Sequence, residues 1–98
     1  MTREVILSSI AKKKLELLFD YLEKEFSEKT KLGFISKLEK TVGRITQYPE
    51  SFPKSSKEKS VYRCVINRYT VMFYRFNKER IEILTFFDNR MDPAKSPY

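Results

Sequence analysis

The chain has 98 residues and a formal net charge of +7, from 20 basic and 13 acidic side chains, and 41% of its residues are hydrophobic. This length favours one domain over residues 1–98 with a single modest core. The absence of histidine and the presence of one cysteine exclude Ser–His and Cys–His triads, zinc sites and internal disulfides, so we expect no metal and no cofactor.

A short strand and two helices are predicted for the first half of the chain. Residues 3–8 (REVILS) form the strand, and an amphipathic helix follows from about residue 10 to residue 26, capped by Ser8 or Ser9. A second helix runs from about residue 29 to residue 47 and ends before Pro49, which disfavours helical geometry in the residue preceding it. The short connection between the two predicts an antiparallel helical hairpin.

An irregular segment, residues 49–60 (PESFPKSSKEKS), connects the helices to the rest of the chain. Phe52 is its one large apolar residue, and we expect it to pack on the core. Lys54, Lys57 and Lys59 are expected to be exposed and mobile.

Three strands, at about 61–66, 69–76 and 81–88, are predicted from runs of β-branched and aromatic residues separated by polar turns. If residues 67–68 form a two-residue loop, Cys64 lies opposite Val71. If residues 77–80 form a four-residue loop, Phe73 lies opposite Leu84 and a cross-strand ion pair joins Arg75 to Glu82. A slip of one residue in either turn would exchange the two faces of the sheet.

This register divides the strands into two faces, and we expect the helices to cover the more apolar one. That face carries Tyr62, Cys64, Ile66, Tyr69, Val71, Phe73, Leu84 and Phe86. The opposite face carries Val61, Arg63, Val65, Thr70, Met72, Tyr74, Ile83, Thr85 and Phe87. The predicted fold class is α+β, a small twisted antiparallel sheet in the order β-α-α-β-β-β with the helical hairpin packed on one face. Two helices can hardly cover both faces, so we expect a partner chain on Met72, Ile83 and Phe87 and on the outer stripe of the helical hairpin.

The basic and tyrosine residues are the candidates for function. Residues 51–98 carry 10 basic and 5 acidic side chains, an excess that suits nucleic acid or an acidic protein, with solubility alone as the plain alternative. Without histidine, RNA could still be cleaved through its own 2′-OH if cations stabilised the phosphorane. Arg63 is the strongest candidate, with a snorkelling or ion-paired strand residue as its structural alternative. Arg90 is a further candidate, and a cap or tail anchor is the structural alternative that we favour for it. The other candidates are Lys54, Lys57, Lys59, Tyr74 and Tyr98.

The order of these elements resembles the RelE/ParE superfamily of bacterial type II toxins. The resemblance rests on the REVILS strand, the helical run GFISKLEKTVGRITQYPESFP, the hairpin YRCVINRYTVMFYRF and the ending ILTFFDNRMDP, and it covers nearly the whole chain. It implies a toxin with a cognate antitoxin, which we expect to be acidic and partly disordered when free. No segment has the length of a membrane span or the pattern of a signal peptide, so we expect a cytoplasmic protein that binds no membrane.

The superfamily implies two activities. RelE-like members cut mRNA on the ribosome with arginine and lysine on the open sheet face and often a C-terminal tyrosine, whereas ParE-like members poison DNA gyrase. The nuclease branch places an arginine where this chain has Thr70, although Arg63, Arg90 and Tyr98 match other basic and tyrosine positions. This difference favours inhibition of gyrase, with a ribosome-dependent mRNA endoribonuclease as the alternative and an inactive basic domain as a third possibility.

Overall fold

Four strands and two long helices make up the fold in the computed structural model, which describes residues 3–98. In chain order they are β1 (Glu4–Leu7), α1 (Ser9–Glu25), α2 (Glu28–Gln47), β2 (Tyr62–Val65), β3 (Thr70–Phe76) and β4 (Arg80–Asp88), followed by a short 3-10 helix at Pro93–Lys95. The strands lie in the order β1-β4-β3-β2. The α+β class is confirmed. The last three strands are antiparallel, and β1 runs parallel to β4, which makes the sheet mixed.

Both helices begin at a serine cap. The Ser8 side chain accepts a hydrogen bond from the Ala11 backbone N–H at 3.0 Å, and the Ser27 side chain accepts one from the Thr30 N–H at 3.1 Å. Each bond satisfies a backbone donor that the first turn of a helix leaves unpaired. The predicted helices are confirmed, and α2 ends just before the segment that Pro49 begins.

The loop between β2 and β3 is longer than predicted. The Asn67 side-chain oxygen accepts hydrogen bonds from the backbone N–H groups of Tyr69 and Thr70, each at 2.9 Å, and this Asx-type turn draws Tyr69 into the loop. Cys64 therefore lies opposite Met72, so its predicted pairing with Val71 is wrong.

The pairing of β3 with β4 changes register along its length. Near the turn, Arg75 lies opposite Glu82, and their predicted ion pair is confirmed at 2.7 Å. Beyond a β-bulge, Phe73 lies opposite Thr85, so the predicted pairing of Phe73 with Leu84 is wrong. A bulge places one extra residue between regular pairs, and here that extra residue is Leu84.

The main core lies between the helical hairpin and the sheet. Met72, Tyr74 and Ile83 belong to it with exposures of 0%, 0% and 3%. The prediction that Met72 and Ile83 face a partner is therefore wrong, as is that of Tyr74 as a binding residue. Its hydroxyl donates to the Pro49 carbonyl at 2.7 Å, and burial raises its pKa. The other buried members are Ala11, Phe34, Ile45, Cys64, Ile66, Ile81 and Phe86.

Two smaller expectations about this core are confirmed. Phe52 packs against the cluster, with its ring edge-on to that of Tyr74 at 6.4 Å. Cys64 is fully buried, and burial raises the pKa of its thiol to about 11. The thiol is therefore protonated at neutral pH and behaves as a small apolar side chain.

A second apolar cluster covers the sheet face opposite the helices. Val71 and Phe73 are each 1% exposed and pack there, so the prediction that they and Leu84 lie beneath the helices is wrong. Phe87 is half-buried in the same cluster. The remaining members are Val61, Leu84 and Tyr98. Within residues 3–98, no helix is both long and apolar enough to cross a membrane.

Candidate functional site

A small cavity of about 180 Å³ lies on the sheet face opposite the helices; we call it the open-face cavity. Arg63 on β2 reaches it because it pairs with Phe73 and so shares that residue's face. Tyr98 closes one side, with its ring 5.5 Å from that of Phe73. The lining residues are Ser56, Lys57, Arg63, Val71, Phe73, Phe87, Asn89, Met91, Pro93, Ser96 and Tyr98.

The segment 93–98, which we call the tail, is fastened over this cavity. The Lys57 ammonium donates hydrogen bonds to the backbone carbonyls of Ala94, at 3.2 Å, and of Ser96. The Asp92 side chain caps the short 3-10 helix by accepting from the Ala94 N–H at 3.0 Å. Lys57 is therefore hydrogen-bonded to the tail, whereas it was expected to be exposed and mobile.

The structure brings together only part of the predicted set of site residues. Arg63, Lys57 and Tyr98 converge on the open-face cavity. Lys54 lies elsewhere, with its ammonium 5.9 Å from the centre of the Tyr62 ring, and Lys59 is exposed on the surface.

Arg90 lies at a different place from Arg63. Its guanidinium holds the Asp88 carboxylate through two hydrogen bonds, of 3.0 and 2.8 Å, and lies 4.8 Å from the centre of the Tyr69 ring. These bonds lower the pKa of Asp88 and raise that of Arg90. Arg90 is therefore ion-paired, and it lines the larger groove described next instead of the open-face cavity.

A larger groove of about 980 Å³ opens between the helical hairpin and the end of the sheet where β3 begins. Five large apolar side chains along it are strongly exposed: Leu17 at 59%, Tyr21 at 42%, Phe26 at 60%, Tyr69 at 43% and Met91 at 47%. Exposed apolar surface of this extent is typical of a protein-binding site. We call it the hairpin groove.

The charged residues around the hairpin groove are mostly basic. Lys14, Lys37, Arg90 and Lys95 line it, and its acidic residue, Asp88, is neutralised by Arg90. An apolar floor with a cationic rim is complementary to an amphipathic acidic segment.

The outer stripe of the helical hairpin was expected to face a partner, but the residues that form the hairpin groove were not predicted, although a signal for them was present. The apolar stripe of α1 that faces the core includes Leu15, Leu18 and Leu22. Leu17 and Tyr21, four residues apart, form a second stripe that a single-face interpretation leaves out.

The described part of the chain contains no group of three or more acidic or cysteine side chains arranged to hold a metal ion.

Comparison with known proteins identifies one family. A family model described as the ParE toxin of type II toxin–antitoxin systems, parDE, matches residues 5–93. No curated protein sequence gives a significant match.

Several solved structures have a similar fold. The chromosomal ParDE system of P. aeruginosa superposes with a TM-score of 0.73 at 15% identity, over 89% of this chain and 96% of the other. The YoeB dimer of Staphylococcus aureus gives 0.64 at 15% identity, over 87% and 94%. The E. coli DinJ–YafQ toxin–antitoxin complex gives 0.62 at 10% identity, over 90% and 93%. At these identities the likeness concerns the fold.

Proposed function

Because the chain belongs to the ParE toxin family of type II toxin–antitoxin systems, we propose that it acts by binding and poisoning DNA gyrase. This is a protein-binding activity and needs no chemistry from the toxin itself. The proposed place of action is the cytoplasm, where gyrase works on DNA.

The observation that carries this proposal is how few free cations reach the open-face cavity. Cleavage of RNA requires positive groups around the phosphate whose charge develops in the transition state. Lys57 and Arg63 line the cavity, but the Lys57 ammonium is bound to two tail carbonyls. Among the described residues that line the cavity, Arg63 is the one cation whose side chain has no hydrogen-bond partner. A site with one free cation is poorly suited to cleaving RNA.

Thr70 adds support. It occupies the position where the resemblance to RelE-like nucleases implies a catalytic arginine, and it is only 7% exposed at the start of β3. It lines the hairpin groove instead of the open-face cavity. Loss of one charge-stabilising contact typically raises a reaction barrier by about 3–4 kcal/mol.

A ribosome-dependent mRNA endoribonuclease is the second candidate, and one observation favours it. Lys57, Arg63 and Tyr98 converge on a single cavity, and displacement of the tail would free the Lys57 ammonium. The cavity would then present two cations and a tyrosine to one phosphate.

Two assays separate the candidates. Purified toxin added to gyrase and plasmid is expected to block supercoiling or trap cleaved DNA, and mRNA on translating ribosomes is expected to stay intact. Codon-dependent mRNA cuts that Arg63→Ala abolishes and Arg68→Ala leaves unchanged, with gyrase unaffected, would overturn the gyrase proposal. If neither assay responds, an inactive binding domain is the remaining interpretation.

We also propose that the hairpin groove binds the cognate antitoxin as an amphipathic acidic segment that folds on binding. The apolar floor and the cationic rim of the groove support this choice, as does the toxin–antitoxin complex among the similar structures. The groove includes Phe87, which was predicted to face a partner, whereas Met72 and Ile83, predicted to face it as well, are buried in the core.

A further inference from the structure

Four aromatic rings form a connected row at the end of the sheet where β2 begins and β3 ends. Phe52 lies edge-on to Tyr74 at 6.4 Å, Tyr74 is stacked on Tyr62 at 5.5 Å, and Tyr62 meets Phe76 at 5.3 Å. The row thus links the segment after α2 to two strands, which makes it a rigid part of the fold.

Three cations lie on the outside of this row. The Arg44 guanidinium is 5.9 Å from the centre of the Phe52 ring, the Lys54 ammonium is 5.9 Å from that of Tyr62, and the Arg3 guanidinium is 5.4 Å from that of Phe76. We call these three residues the cation row. Cation–π attraction orients each charge and leaves it unneutralised, and the Arg3 Nε also donates a hydrogen bond to the Asn77 carbonyl at 2.7 Å.

None of these cations is paired with a carboxylate among residues 3–98. The ion pairs of that part of the chain join Lys31 to Glu23, Arg75 to Glu82 and Arg90 to Asp88. No member of the cation row lines the hairpin groove or the open-face cavity. The row is therefore a separate positive surface that neither proposed binding site uses.

We propose that the cation row binds the phosphate backbone of duplex nucleic acid independently of sequence. Oriented, unpaired arginine and lysine side chains are the usual contacts to phosphates, and such contacts carry no sequence information. Recognition of single strands needs open aromatic faces on which bases stack. Tyr74 is fully buried, and each of the other three rings is covered by a cation, so the row offers a base no free ring.

This inference goes beyond inhibition of gyrase and does not depend on it. A toxin that holds gyrase through one surface and DNA through another would contact both components of the same complex. The DNA contact is measurable on the toxin alone.

The test compares two triple variants that remove the same charge. Fluorescence anisotropy with short labelled DNA and RNA duplexes measures affinity for the wild type, for Arg3→Gln/Arg44→Gln/Lys54→Gln and for Lys12→Gln/Lys13→Gln/Lys24→Gln, whose three lysines are exposed on α1. We expect the first triple to weaken binding about tenfold. The slope of log affinity against log salt concentration should fall by the amount that corresponds to about three phosphate contacts. The second triple should change affinity about twofold or less.

Further outcomes decide the proposal. Equal losses of affinity in the two triple variants would show that only net charge matters and would overturn the proposal. An absence of duplex binding by the wild type would overturn it as well. The charge-conserving variant Arg3→Lys/Arg44→Lys/Lys54→Arg should keep wild-type affinity, which covers the case in which the glutamine triple fails to fold. Equal binding of the DNA and RNA duplexes would identify the phosphate backbone that they share as the ligand. Binding of only one duplex would identify that nucleic acid as the ligand.

Discussion

Tyr74 shows how one buried hydroxyl connects the sheet to the segment after α2. Replacing it with phenylalanine keeps the ring in the core but leaves the buried Pro49 carbonyl without the hydroxyl that donates to it at 2.7 Å. An orphaned buried acceptor typically costs about 1–3 kcal/mol, so Tyr74→Phe should lower the free energy of unfolding by that amount. Urea denaturation followed by circular dichroism measures it.

Tyr62→Phe is the matched control for that substitution. Within residues 3–98 the Tyr62 hydroxyl makes no hydrogen bond, although the ring stacks on that of Tyr74. Its removal should change stability by about 0.5 kcal/mol or less. Equal effects of the two substitutions would show that the bond to Pro49 contributes nothing.

The ion pair of Asp88 and Arg90 predicts a dependence of stability on acid pH. The hydrogen bonds from Arg90 hold the pKa of Asp88 below its usual value of 3.8. The contribution of Asp88 is therefore complete above pH 3.8 and is lost as the pH falls through the lowered pKa. Thermal unfolding across pH should show a constant gap between wild type and Asp88→Asn above this value and a narrowing gap below it.

That prediction has a clear contrary outcome. If the gap stayed constant down to the lowest pH at which the protein folds, the ion pair would not be the source of the stabilisation. Because both side chains are well exposed, solvent screening keeps the effect small.

At the scale of the element, Ser8 joins α1 to the sheet. Its hydroxyl accepts from Ala11 at the helix start and donates to the Leu84 carbonyl on β4 at 2.7 Å. Ser8→Ala removes both bonds and should cost about 1–2 kcal/mol. Ser27→Ala removes an exposed cap with no bond to the sheet and should cost about half as much. Chemical denaturation of both variants measures the difference, and a larger loss for Ser27→Ala would contradict the assignment.

The elements that the sequence predicts well are those fixed by local chemistry. Ser8, Ser27 and Pro49 bound the two helices, because a cap and a proline act through neighbouring backbone groups alone. The turn at residues 77–80 and the pair of Arg75 with Glu82 are equally local.

The registers of β2 against β3 and of β3 against β4 could not be predicted from hydrophobic patterning. Hydrophobic patterning fixes a register when one face is buried and the other is wet. Here the tail, which includes Tyr98, covers the second face, so Val71 and Met72 are both buried. The alternation of apolar and polar residues therefore does not indicate which face lies under the helices. Asn67 and the bulge at Leu84 then decide the pairing. Arg63 and Tyr98, two site candidates from the sequence, line one cavity, and their role stays a prediction. The hairpin groove forms only in the folded chain.

At the scale of the whole molecule, the hairpin groove predicts how an antitoxin is held. Leu17→Asp places a negative charge on an apolar wall facing an acidic partner, and it should weaken binding at least tenfold, as removal of a central apolar anchor typically does. Isothermal titration with the cognate antitoxin measures the effect.

Leu32→Asp is the control for the groove. Leu32 is 55% exposed, close to the 59% of Leu17, but it does not line the groove. Its substitution should leave the affinity nearly unchanged. Equal losses would show that the partner binds elsewhere on the hairpin or responds to charge alone.

The parallel pairing of β1 with β4 has a consequence for the order in which the chain is made. β4 lies between β1 and β3, so the sheet cannot close until residues 80–88 have been synthesised. Until then the helical hairpin has no sheet on which to bury its apolar face, and contacts between distant parts of a chain form late. A product of interrupted translation that stops before β4 therefore lacks the central strand. The fold of this chain is therefore completed only after residue 88 has been translated.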